Sequence, residues 1–218
     1  MKKIYITLLT LFSLSFNILY SQTNPHFSGG IELGYANGLG IGMNFILKDF
    51  AEGFPFALKG GISVAFVDPG KPLDARKIFI NDNTNGVPEK SGYVSDFRFD
   101  FMFPIGNRFY LFAGPRYSTF TGDFKFVDGN EDFEVTSNQW ALGIGAQSYF
   151  KISSALDIAL SAGYDYYFND DLYGHDTTYS PDNENINARN GYEYKDADDA
   201  VNQPKGNLRV MFGVSFNL

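Results

Sequence analysis

Residues 93–103 set the terms for any fold this chain adopts. Tyr93, Ser95, Phe97, Phe99, Phe101 and Phe103 share one parity, and Val94, Asp96, Arg98, Asp100 and Met102 share the other. A period of two is that of a β-strand, whose successive side chains point to opposite faces. The constraint lies in what occupies those faces: large aromatics on one, charges of both signs on the other. Lipid outside and a narrow polar lumen inside accommodate both at once.

The same alternation recurs along the chain. The strands expected before it are His26 to Ala36, Leu39 to about Lys48, and Phe56 to Phe66. Those expected after it are Phe109 to Phe120, Asn138 to Lys151, Leu156 to Tyr166, and Asn207 to Leu218. Asn37-Gly38 is a two-residue hairpin signal, both positions tolerating positive φ. From the second strand onward the connections alternate. They are short at 49–55, 104–108 and 152–155, and long at 68–92, 121–137 and 169–205. Phe124 to Phe126 and Phe133 to Val135 keep the alternation needed to extend their hairpin past the membrane. The expected fold is therefore all-β, an eight-stranded antiparallel up-and-down transmembrane β-barrel. Short turns and both termini belong on the periplasmic side, and the long loops outside.

A soluble barrel puts its apolar face inward and a face rich in Lys, Glu and Thr to water. Here the face opposite the aromatics is mostly Gly, Ala and Ser with a few charges, which suits a crowded lumen. Reversing the register would expose several charges to lipid, at roughly 2–4 kcal/mol for each Arg at the midplane. Glu32, Lys59, Asp96, Arg98, Asp100, Arg116, Asp157, Asp165 and Arg209 are therefore expected to form an internal salt-bridge network that plugs the barrel. Tyr93, Tyr117, Trp140 and Tyr166 near one rim, and Tyr110 and Tyr149 near the other, fit interfacial girdles.

The stretch Phe109-Tyr110-Leu111-Phe112-Ala113-Gly114-Pro115-Arg116-Tyr117-Ser118 resembles the fifth-strand motif of small outer-membrane β-barrel domains. This is the "porin family" that includes OmpX-like, OmpA-transmembrane-like and PorT-like proteins. By strand pattern the resemblance covers the whole mature chain. It implies insertion by the outer-membrane assembly machinery, which reads a terminal aromatic; this chain ends in Leu218, with Phe216 two before it. No wall-binding domain follows the last strand, so the anchoring role of full OmpA-type proteins is not implied.

Lys2 and Lys3, the apolar run from Ile4 to Leu19, and the small residue Ser21 form a secretory leader. Residues 1–21 are assigned to it and 22–218 to the barrel domain. The expected location is the outer membrane of a Gram-negative bacterium. The chain has no cysteine, which removes disulfides, thiolate catalysis and Cys-based metal sites. A formal net charge of −8 argues against nucleic acid as a partner.

Candidate chemistry is sparse. His26 and His175 are the only histidines; His175 stands beside Asp176 and near Asp170 and Asp171, but no nucleophile motif or second rim His completes a catalytic set. No catalytic residue, cofactor or metal ligand is assigned, and the chain is not expected to be an enzyme. Residues 169–205 hold nine Asp or Glu against three Lys or Arg. Clusters at Asp196-Ala197-Asp198-Asp199 and Asp128-Gly129-Asn130-Glu131-Asp132 offer oxygen ligands for Ca²⁺ or bridges to lipopolysaccharide phosphates. Without EF-hand spacing, the plainer expectation is a solvated, mobile loop. Tyr173, Tyr179, Tyr192 and Tyr194 interleave with Asn and Asp, a composition suited to protein or glycan contacts. The expected role is structural or surface-interacting, with lipid, lipopolysaccharide and an extracellular protein or glycan as partners. The alternatives are a PorT-like accessory barrel of a secretion or envelope-assembly system, a narrow pore, and a rim-site enzyme.

Overall fold

The computed structural model describes residues 25–218, so the expected leader lies outside the described residues. Eight strands form the wall: β1 (His26–Ala36), β2 (Leu39–Lys48), β3 (Ala57–Phe66), β4 (Val87–Pro104), β5 (Phe109–Val127), β6 (Asp132–Lys151), β7 (Leu156–Tyr167) and β10 (Gly206–Asn217). Each runs antiparallel to its neighbours. β1 pairs with β10 from Ser28 opposite Asn217 to Ala36 opposite Arg209, and β5 pairs with β6, so the sheet closes on itself. Closure removes every edge that would leave backbone groups unpaired in lipid.

Parity decides which side of the wall each residue occupies. Ile31, Leu33, Phe97, Leu142, Ile144 and Phe212 are exposed, whereas Glu32, Lys59, Arg98, Asp100, Arg116, Asp165 and Arg209 are buried in the lumen. Ile144 is 64 % exposed and Arg116 is 1 % exposed. This inverts the partition of a water-soluble protein and is the surface of a transmembrane barrel. The outward Tyr117 and Trp140 rings meet edge to face at 5.2 Å. Small lumenal residues make room for large ones. The Phe112 ring sits in a notch between Gly145 and Gly163, where a methyl group on either would strike it.

At Asn37-Gly38 the positive φ belongs to Asn37 alone, at 60°. Gly38 is required for a different reason: the Phe66 carbonyl lies where its Cβ would stand.

The connections at one end are short, joining β2 to β3, β4 to β5 and β6 to β7. At the other end the expected loops are largely folded, which corrects three boundaries. β4 begins at Val87 rather than near 93, and the 121–137 loop is a continuation of β5 and β6 around a tight turn at 128–131. That turn carries Asp128 at φ 62°. Residues 67–86 contain helix α1 (Pro72–Phe79). Residues 168–205 contain β8 (Leu172–Tyr173), β9 (Thr178–Tyr179) and helix α2 (Tyr194–Ala200).

These pieces share a hydrophobic core separate from the lumen. Ala75, Ile78 and Phe79 of α1 and Ala197 and Ala200 of α2 pack with Phe124, Phe126, Phe133 and Val135 of the extended hairpin, and with Leu172 and Tyr179. Phe79 meets Tyr179 edge to face at 5.2 Å, and the Tyr179 hydroxyl donates to the Ile78 carbonyl at 2.8 Å. Lys71 N–H donates to Ala200 O at 2.8 Å, and Asn202 N–H to Pro69 O at 3.0 Å. The acidic 169–205 segment is therefore a packed cap over the long-loop mouth. Burial of its alternating Tyr, Leu and Ala side chains outweighs the charge that suggested a mobile loop.

Candidate functional site

The lumen holds two ion clusters. In the first, the Glu32 carboxylate accepts from Arg209 Nη2 at 2.6 Å and from Lys59 Nζ at 3.4 Å. Lys59 also donates to Gln147 Oε1 at 3.0 Å, Arg209 to Ser63 Oγ at 3.1 Å, and Asn44 to Glu32 at 3.3 Å. In the second, Arg116 lies 2.7 Å from Asp100 and 3.1 Å from Asp165. Arg98 lies 3.5 Å from Asp100 and 3.8 Å from Asp165. These partners come from β1, β3 and β10 in one cluster and from β4, β5 and β7 in the other, so the ions tie strands across the barrel.

Asp96 stands apart from both clusters, accepting a hydrogen bond from the Tyr167 hydroxyl at 3.3 Å. Asp157 does not join the network, which corrects its assignment. It sits at the short-turn rim, accepts from Asn217 Nδ2 at 3.2 Å, and lines a cavity of about 210 Å³ with Lys48, Arg108, Tyr149 and Lys151. Parity assigns a face, but depth along the strand decides between lumen and rim. Gln147, Ser63, Asn44 and Tyr167 complete the network and were missed. Each is polar and of lumenal parity, the signal that marks them.

The Gly114-Pro115-Arg116 motif has a local logic. Proline cannot donate to the ladder, and the β4–β5 pairing is interrupted between Arg98 opposite Arg116 and Phe101 opposite Ala113. Arg116 Nη1 bridges the gap, donating to Pro115 O at 3.0 Å and Phe99 O at 3.5 Å. Gly114 lets the strands approach, since a Cβ would meet the Phe99 carbonyl. Gly143 leaves the space that the Arg116 guanidinium and Asp165 carboxylate fill.

Such an arrangement crosses the lumen with buried ion pairs. Buried charges are tolerated because every guanidinium and ammonium has carboxylate partners. Among the buried lumenal residues four cations (Lys59, Arg98, Arg116, Arg209) share three carboxylates (Glu32, Asp100, Asp165) in the two clusters, and Asp96 lies buried outside them.

At the long-loop end, His175 Nδ1 lies 2.8 Å from Asp176, with side chains 65 % and 82 % exposed. Both side chains therefore face solvent. His26 begins β1 at the opposite end. The acidic clusters have structural duties instead. Asp196 and Glu193 form the capping box of α2, Asp198 pairs with Lys205 at 2.7 Å, Asp199 pairs with Lys195, and Glu131 accepts from Asn81 at 3.3 Å. Beside Asp68, Lys90 at 2.6 Å and the Gly70 N–H hold its carboxyl below the usual range.

The residue that sequence reasoning missed most completely is Arg76. It is 0 % exposed in the cap, donating to Asn81 Oδ1 at 3.3 Å and Asn85 O at 2.8 Å, with its Cζ 4.5 Å from the Phe126 ring centroid.

No protein-family model matches the chain, and no curated protein matches it. Solved structures do. A major outer membrane protein from Thermus thermophilus is 21 % identical, with 89 % of this chain and 99 % of that one covered at a TM-score of 0.72. Ail, the attachment invasion locus protein of Yersinia pestis, solved with the heparin analogue sucrose octasulfate, is 11 % identical over 90 % of this chain and 99 % of its own, at a TM-score of 0.49. Neisserial surface protein A is 10 % identical over 91 % and 100 %, at 0.41. The first of these is a likeness of fold.

Proposed function

We propose that this chain is a non-enzymatic barrel of a Gram-negative outer membrane, held rigid by its lumenal ions, whose folded cap meets partners outside the cell. One observation carries the reading: three connections that a barrel does not need for closure are built into a domain with its own hydrophobic core. Ordering such segments costs roughly 1–2 kcal/mol of backbone entropy per residue, a cost that a surface without a task would not bear. The short turns and both chain ends then face the periplasm, as the even strand number favours. The filled lumen supports a platform rather than a pore, and the solvated His175–Asp176 pair supports a surface rather than a catalytic rim.

The test compares cells carrying the intact chain with cells in which α1 and the 168–205 segment are replaced by short turns. Adherence to host or neighbouring-cell surfaces should fall while the barrel stays inserted. Unchanged adherence, with a secretion defect in the deletion strain, would replace this reading with the accessory-barrel one.

A further inference from the structure

We propose that the short-turn mouth of the barrel is a binding cup for a phosphate group, free in solution or at the head of a lipid in the adjoining leaflet. The cup lies at the opposite end from the cap. It depends on the surface role proposed above only for the compartment it opens to, the periplasm.

A cavity of about 210 Å³ at this mouth is lined by Lys48, Arg108, Tyr110, Tyr149, Lys151 and Asp157, among others. All of these but Arg108, which stands in the β4–β5 turn, have the inward parity of their strands, so the cup opens inside the wall and not onto lipid. One step deeper, Ile46, Ala57, Met102 and Phe112 pack with Tyr149 as an apolar layer. Two residues beyond Ala57 and Met102 come Lys59 and Asp100, the first of the lumenal ions. The layer therefore parts the cations of the cup from the carboxylates of the lumen. The volume is below the roughly 300–1,000 Å³ of drug-sized ligand sites and suits one compact group.

Three cations meet one carboxylate in the lining. Lys48, Arg108 and Lys151 join no ion pair among the described residues. Lys151 and Asp157 stand opposite each other on β6 and β7, yet the Asp157 carboxylate is held by Asn217 Nδ2 at 3.2 Å, which also donates to Ser154 O at 3.3 Å. His26, opposite Lys48, and Asp49, beside it, lie outside the lining. Three cations against one carboxylate leave two positive charges in excess. A phosphate monoester carries about −1.5 to −2 at pH 7 and answers that excess, where a carboxylate would answer half of it.

The innermost cation is placed in advance. Lys48 Nζ lies 5.0 Å from the Tyr149 ring centroid and 5.2 Å from that of Tyr110, and the two rings meet edge to face at 5.7 Å. Ring faces hold an ammonium group while leaving its charge without a counter-ion. Arg108 O accepts from Tyr149 N–H at 2.9 Å, which ties the β4–β5 turn to β6. The Arg108 guanidinium offers the forked donors that phosphate oxygens take in pairs. Arg108 and Lys151 are exposed and Lys48 is half-buried, so an entering oxyanion meets the outer two first and the fixed one last.

The full chain, refolded in phosphate-free maltoside micelles, is titrated calorimetrically at constant ionic strength with inorganic phosphate, a short-chain phosphatidic acid, and acetate. Lys48→Met, Arg108→Gln and Asp157→Asn are run in parallel with Lys71→Met, a substitution in the cap, and heat-modifiable gel mobility checks each fold. Phosphate should bind saturably and more tightly than acetate. Affinity should fall about fivefold in Lys48→Met and in Arg108→Gln, rise in Asp157→Asn, and hold in Lys71→Met. Phosphatidic acid binding more tightly than phosphate assigns the cup to a lipid headgroup, and the reverse assigns it to free phosphate; either supports the proposal. No saturable binding of either, acetate bound as tightly as phosphate, or Lys48→Met and Arg108→Gln binding like the parent would overturn it. Adherence of cells lacking the cap tests the surface role alone, so the cup and that role fail separately.

Discussion

Glu32 is the lumenal residue on which two cations depend. Replacing it with Ala leaves Arg209 and Lys59 buried without their carboxylate, a change expected to cost about 3–5 kcal/mol. Asp157→Ala, at the hydrated rim, should stay within about 0.5 kcal/mol. Urea unfolding of both variants in lipid vesicles separates the network from the rim, and equal losses would contradict the depth assignment. Tyr194 gives the cap a pH signature. Burial pushes its hydroxyl up to about 12, against the hydrogen bond from Gln203. Because the folded value is raised, its contribution is complete below the ordinary tyrosine value near 10 and is lost as pH climbs through about 12. Near-ultraviolet circular dichroism should therefore show a cap transition between those limits that Tyr194→Phe lacks.

Among the elements, α1 and α2 hold the cap and the strands hold the barrel, and the two should fail separately. Phe79→Ala removes the ring that packs on Tyr179 and should cost the cap about 3–5 kcal/mol. Proteases should then cut within 168–205 while the barrel keeps its heat-resistant gel mobility; joint loss of both would mean one cooperative unit. The strands were legible because each repeats its period over ten or more residues. Helix α1 was not, since eight residues give barely two turns of periodicity, and Pro69 and Pro72 read as loop. Pro72 in fact stands at the helix start, where its missing N–H costs nothing. Helix α2, rich in Asp, hides its apolar face in three residues, Tyr194, Ala197 and Ala200, which only a partner surface makes meaningful.

At the scale of the whole molecule, ion pairs cross the barrel's middle and a cap covers one mouth. A cavity of about 340 Å³ remains between the β1–β2 turn and residues 198–206. Planar bilayers containing the chain should show no steady conductance, and truncating Lys59 and Arg116 together should be needed before ion flow appears. Stable channels from the unaltered chain would mean that the ion clusters line a path instead of blocking it.

The sequence by itself determined the barrel, its strand number, the inside and outside of its wall, and, of the nine charged residues it assigned to the lumen, the eight that are buried there. A period of two, once lipid is one of the two solvents, leaves a single register in which the arginines survive. Which carboxylate each arginine meets, that Asp157 belongs to the rim, and that Arg76 is sealed inside the cap were decided only by the tertiary structure. Those contacts join β1 to β10, α1 to the 80s loop, and 82 to 189. Alternation along one strand records which way a side chain points, and carries nothing about what closes over it from the far side of the fold.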